Sequence, residues 1–89
     1  MRAIITVIGT DRVGIIAAVS NVLACANVNI LDITQTLMQE LFTMIMLVDI
    51  GEAKLNFEQI AGQLDTKGRE LGLSIKIQHE DLFKSMHEI

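Results

Sequence analysis

The sequence predicts an α+β sandwich, with two helices covering one face of a four-stranded antiparallel sheet. Three observations carry that expectation. The hydrophobic periods run strand, helix, strand, strand, helix, strand; the middle two strand-like runs are adjacent; and the whole pattern fits within 89 residues, enough for one domain (1–89) built around one core. An apolar share of 51% without Pro, Trp or Tyr means that the chain folds rather than staying disordered.

Ala3 to Ile8 is continuous and rich in β-branched residues, as a covered strand inside a sheet should be. From Val13 to Ala26 the apolar residues Ile15, Ile16, Val19, Val22, Leu23 and Ala26 recur at helical spacing, which predicts a first helix with Asp11 as N-cap and Asn27 just past its end. Asn29 to Met38 alternates loosely: Leu31, Ile33 and Leu37 oppose Asp32, Thr34 and Thr36, while Ile30 and Met38 break the pattern. Leu41 to Ile50 then sets Phe42, Met44, Met46 and Val48 against Leu41, Thr43, Ile45 and Leu47, so these two runs predict a hairpin. Neither Gln39 nor Glu40 favours positive φ, so the hairpin is expected to close through a loose connection or a bulge.

Asn56-Phe57-Glu58-Gln59 spells a capping box, flanked by Leu55 and Ile60 in the positions of a hydrophobic staple, and predicts the start of a second helix. Phe57, Ile60, Ala61, Leu64, Gly68 and Leu71 form its apolar stripe, and Gly72 stops it. Leu73 to Glu80 alternates strictly, as a strand between core and water does. Leu82, Phe83, Met86 and Ile89 return to helical spacing, so residues 81–89 are expected to form a short amphipathic tail helix that needs a surface to rest on. The element order β-α-β-β-α-β is that of the ferredoxin-like, or split βαβ, sandwich.

Several function classes are argued against. The formal charge of −4 opposes attraction to nucleic acid or anionic membranes, and the strands that would stack bases in an RNA-binding version of this fold offer only Phe42. No apolar stretch reaches the roughly 20 residues that span a bilayer, so a soluble, cytoplasmic protein is expected. The single cysteine, Cys25, excludes an intrachain disulfide or a two-thiolate metal site, and its place on the Ala-rich helix suggests a small buried hydrophobe. His79 and His87 have no third ligand in register, so neither a metal nor another cofactor is expected. No nucleophile, base and orienting group assemble, since Ser20, Cys25 and Ser85 fall within apolar helical patterns; the chain is not expected to be an enzyme.

The segment Gly9-Thr10-Asp11-Arg12-Val13-Gly14-Ile15-Ile16 joins the first strand to the first helix. Amide N–H groups of a first helical turn, with the positive end of the helix dipole, favour a carboxylate. Gly14 removes a side chain where a ligand would approach. Asp11 could meet an ammonium or cap the helix, so this segment could grip both ends of an α-amino acid.

With Asn27-Val28-Asn29-Ile30 after the helix, the pattern resembles the ACT domain, a regulatory module attached to many enzymes of amino-acid metabolism. The resemblance runs from Arg2 to about Glu80. It is closest to the small stand-alone bacterial and archaeal ACT proteins of unassigned role, which are similar to the ACT portion of the glycine cleavage system repressor. It implies paired domains, with an amino acid or similar metabolite bound where the first loop and helix meet a neighbour. The expected ligand-binding residues are Thr10, Asp11, Arg12, Val13, Gly14 and Ile15, with Asn29 and Ile30 opening the strand that lines the interface. A homodimer is expected, with an enzyme or transcription regulator as a further partner. The alternative is an interaction module that binds no metabolite and holds a dimer or docks on an enzyme or transcription regulator, with the tail, residues 81–89, as its discriminating feature.

Overall fold

The structure, a computed structural model, describes residues 1–10 and 13–87. Its elements are β1 (Arg2–Thr10), α1 (Ile15–Cys25), β2 (Asn29–Met38), β3 (Leu41–Asp49), α2 (Phe57–Leu71), β4 (Ser74–His79) and α3 (Glu80–His87). The strands form one antiparallel sheet in the order β2-β3-β1-β4, the ferredoxin-like sandwich that the element order predicts.

Alternation decides which side chains reach the helices. On β1 Ala3, Ile5 and Val7 point into the core, and on β3 Phe42, Met44, Met46 and Val48 do the same. α1 meets them with Ile15, Val19, Leu23 and Ala26, and α2 with Ile60 and Leu64. The two methionines are wholly buried, where flexible thioethers fill irregular space between layers.

Both helix ends are set by local chemistry. α1 stops in a Schellman arrangement: Asn27 takes the left-handed conformation (φ 59), its N–H donates to Ala24 O and that of Val28 to Leu23 O. The Asn27 side chain then donates to Glu52 O at 2.8 Å, tying the helix end to the linker before α2. At α2 the capping box is complete, with Gln59 N–H donating to Asn56 Oδ1 at 2.8 Å and Asn56 N–H to Gln59 Oε1 at 3.0 Å. Gly72 (φ 72) ends that helix, and Leu73 N–H donates back to Gly68 O.

Four expectations are corrected. α1 begins at Ile15 rather than Val13, and its N-cap position belongs to Gly14, not Asp11: a φ of 89 cannot continue a right-handed helix. Cys25 is exposed, because the buried stripe of α1 runs Ile15, Val19, Leu23 and leaves Cys25 on the opposite side. The β2–β3 hairpin closes tightly, with Met38 paired to Leu41 and Gln39 accepting a positive φ of 56. The irregularity lies instead between Ile30 and Asp32, and that shift of parity explains why Ile30 did not fit the alternation of its strand.

The sheet face away from α1 and α2 is partly covered by α3, which packs against β1 and β4. Ile4 points to that face and is buried, and Phe83 is half-buried. The tail helix therefore finds its surface on its own chain, helped by the Arg2–Glu80 salt bridge at 2.7 Å. Of the expected tail, 88–89 lie outside the described residues.

Candidate functional site

The first intrahelical bond of α1 runs from Ala18 N–H to Gly14 O at 2.9 Å. The N–H groups of Ile15, Ile16 and Ala17 therefore precede the ladder and have no partner within the helix. Gly14 has no side chain to cap them, no acidic residue lies in the first turn, and α1 carries no charged residue from end to end. The dipole at this helix start is left uncompensated by the helix itself.

Among the described residues, the space beside Gly14 is open. A Cβ on Gly14 would meet nothing within 4 Å, so glycine is required there by its left-handed φ rather than by packing. Val13 is fully exposed and Ile16 partly so, whereas Ile15 is buried and anchors the helix start in the core. Gly9 holds the other side of the junction: a Cβ there would run into the Leu73 side chain, so the end of β1 lies close against the segment leaving α2. Asp11 and Arg12 lie outside the described residues.

The structure separates the expected site residues into two groups. Thr10 pairs with Leu41 and Leu41 with Met38, so the loop, the β2–β3 turn and the start of α1 share one end of the sheet. Asn29 pairs with Asp49 and Asp49 with Arg2, at the other end. A ten-residue strand lies between them, which separates Asn29 and Ile30 from the loop of their own chain by roughly 30 Å.

Two concavities lie elsewhere. A cleft of about 600 Å³ between α1 and α2 is lined by Val22, Leu55, Gln59, Gly62, Gln63, Thr66 and Lys67, none of them a residue that the sequence singled out for binding. Three of its polar side chains are already engaged: Gln59 in the capping box, Thr66 with Gly62 O, and Lys67 with Glu70. The sequence signal for it is Gly62, a mid-helix glycine with open space where a Cβ would stand. A smaller concavity of about 270 Å³ is bounded by Met1, Arg2, His79, Glu80 and Asp81, at the sheet end opposite the loop. His79 stacks on Phe57 with ring centroids 4.2 Å apart, a packing role. Among the described residues no group of three or more His, Cys, Asp or Glu is placed to hold a metal ion, and no helix is long and apolar enough to cross a membrane.

One carboxyl is clearly perturbed. Asp49 is held below its ordinary value, chiefly by the Gly51 N–H that it accepts at 2.8 Å, and next by the N-terminal ammonium at 3.4 Å. It fastens the end of β3 and takes no part in the loop.

Comparison with known proteins agrees with this architecture. The family model described as the ACT domain matches residues 2–78. A UPF0237 protein of Clostridium acetobutylicum is 57% identical over 89 residues, covering all of both chains. Among solved structures, an ACT domain protein from Streptococcus pneumoniae superposes with a TM-score of 0.81 at 39% identity, covering 98% of each chain. A candidate glycine cleavage system transcriptional repressor superposes with a TM-score of 0.75 at 27% identity, over 86% of this chain and 44% of that one.

Proposed function

The chain belongs to the ACT domain family, and on that premise we propose that it is a non-enzymatic, homodimeric sensor binding an amino acid at the Thr10–Ile15 loop beside the subunit interface. One observation carries this reading: the N–H groups of Ile15, Ile16 and Ala17 stand without intrahelical partners behind an exposed Gly14, in a helix that has no acidic residue. A carboxylate accepting from these amides gains charge-assisted hydrogen bonds and the favourable end of the helix dipole. Asp11 supplies the counter-charge for the ammonium, and Thr10, Arg12 and Val13 complete the loop.

The separation of the loop from Asn29 and Ile30 bears on the dimer. One chain cannot bring both groups to one small ligand across the length of a strand, so Asn29 and Ile30 reach it from a second copy. Ligand binding then favours one dimer geometry by its differential affinity for that arrangement. The bound state is read by an enzyme or transcription regulator. In this reading residues 1–89 act as a single cytoplasmic module.

Titration calorimetry with the twenty amino acids tests the proposal. Saturable heat with at least one of them, lost in Asp11→Ala and in a folded Gly14→Val variant, is the expected result; no heat, or equal binding by both variants, removes the loop assignment.

A second reading, an interaction module without a metabolite, is favoured by exposed Met38, Leu41 and Leu82. It predicts that removing residues 81–89 weakens self-association or docking. An unchanged sedimentation profile and melting temperature after that truncation would dismiss the tail's part in it.

A further inference from the structure

We propose that the cleft between α1 and α2 is a further ligand site, suited to a monocarboxylate that carries an apolar tail. It shares no residue with the Thr10–Ile15 loop and stands independently of the amino-acid reading above. The cleft measures about 600 Å³, within the range of roughly 300–1,000 Å³ common for pockets that take small molecules. Its floor is apolar: Val22 of α1 and Leu55 of the linker before α2 are half-buried and packed against the core. Its wall is one side of α2, made by Gly62, Gln63, Thr66 and Lys67 at i, i+4 spacing, while Ile60 and Leu64 turn into the core.

The two glycines of α2 have different explanations. At Gly68 a Cβ would lie 2.8 Å from Leu73 O, so the close approach of the chain leaving the helix requires glycine. At Gly62 a Cβ would meet nothing within 4 Å, and φ is not positive. Glycine inside a helix is less favourable than alanine, and at Gly62 neither backbone conformation nor a contact among the described residues requires it. Its effect is to keep the cleft free of a side chain.

The wall selects the head group. Among the described residues Lys67 is the only ionised side chain lining the cleft, and no acidic one joins it, in a chain whose formal charge is −4. An ammonium has three hydrogens to donate, and Lys67 gives one to Glu70 at 2.9 Å. Those two side chains are 33% and 57% exposed, so the pair is a weak surface one and leaves Lys67 open to a second anion. A carboxylate in the cleft accepts from Lys67 and from the amide of exposed Gln63. The Thr66 hydroxyl already donates to Gly62 O, and Gln59 is held in the capping box. The tail of the ligand then lies over Val22 and Leu55. A cationic ligand is repelled by Lys67, and a wholly apolar one makes no use of Lys67 or Gln63.

Phenylacetate, with uncharged phenylacetamide as its control, tests the site in an amide-resonance titration of the full chain. Phenylacetate is expected to shift Gly62, Gln63, Thr66 and Lys67 saturably, and phenylacetamide to bind at least about tenfold more weakly. Lys67→Gln should bring the two probes level. Gly62→Leu, which fills the empty Cβ position, should abolish binding with an unchanged circular dichroism spectrum. Lys67→Gln alters only a surface ion pair, so its result stands whether or not Gly62→Leu folds. No saturable shift, shifts confined to Ile15, Ile16 and Ala17, undiminished binding by folded Gly62→Leu, or an undiminished preference for phenylacetate in Lys67→Gln overturns the proposal. None of these results bears on the loop reading, which is tested with amino acids and with the Asp11 and Gly14 variants.

Discussion

The two long helices begin in opposite ways. α2 opens with every local device in place: a reciprocal capping box between Asn56 and Gln59, Glu58 in the first turn, and Arg69 in the last to balance the dipole. α1 opens on a left-handed glycine with no side-chain cap, no acidic residue at its start and no basic residue at its end. Both helices pack their apolar stripes into the same core, so tertiary burial holds each of them. The difference lies in what their first turns are available to do. α2 engages Gln59 N–H through its own side-chain cap and serves as structure, whereas α1 offers the N–H groups of Ile15, Ile16 and Ala17 no side-chain cap, the property expected of an anion-binding turn.

Substitutions can break or sharpen this contrast, and the largest effect is expected at Gly14. A φ of 89 suits glycine, and an L-residue there costs about 1–2 kcal/mol. Gly14→Val should lower the urea midpoint accordingly, and Gly14→Asn should lower it less, because asparagine tolerates the left-handed region. Equal stability of all three proteins would mean that the junction relaxes out of this conformation.

Next comes the closed helix. Asn56→Ala removes one half of the capping box and should destabilise by about 1 kcal/mol, measured by chemical denaturation, with no change in ligand affinity. A loss of affinity would show that the α2 start belongs to the site after all.

Gly62→Ala works in the other direction. Nothing stands within 4 Å of its Cβ position, so alanine should stabilise α2 by up to about 1 kcal/mol, seen as a higher denaturation midpoint. Gly68→Ala is the paired control: there a Cβ would lie 2.8 Å from Leu73 O, and destabilisation is expected.

The smallest effect is an acid one at the linker leading to α2. Asp49 is held below its ordinary value of 3.8, first by the Gly51 N–H and then by the N-terminal ammonium. A depressed folded-state value adds stability that is present above the ordinary value and lost as pH falls through the lowered one. Denaturation midpoints of wild type and Asp49→Asn should therefore differ slightly above pH 3.8 and converge as pH falls from there through the lowered value; a gap that persists in stronger acid would assign the effect to packing.

Most of the fold was legible in the sequence because it rests on periodicity and local caps. The capping box, the glycine stop at Gly72, the left-handed Asn27 and the facing sets of β3 are all decided within a few residues. The departures come from tertiary context. Nothing local marks Cys25 as exposed, since only the packed stripe reveals which side of an Ala-rich helix faces water. Gln39 takes a positive φ because the paired strands on either side hold the turn in place. The N-cap falls at Gly14 although Asp11 is the better capping residue by type, because Gly14 is the residue that adopts the left-handed φ there. For the proposed site, the sequence pointed to the loop and the strand start together, but placing them at opposite sheet ends required the register of β2, β3 and β1.

The amide resonances of α1 offer the most direct measurement. In a titration with the amino acid that calorimetry selects, Ile15, Ile16 and Ala17 should show the largest shifts, together with Thr10, while Gln59 and Ile60 at the capped start of α2 stay still. Shifts centred on Gly62 and Thr66, or none above those of a non-binding amino acid, would contradict the assignment of the open helix start as the binding site.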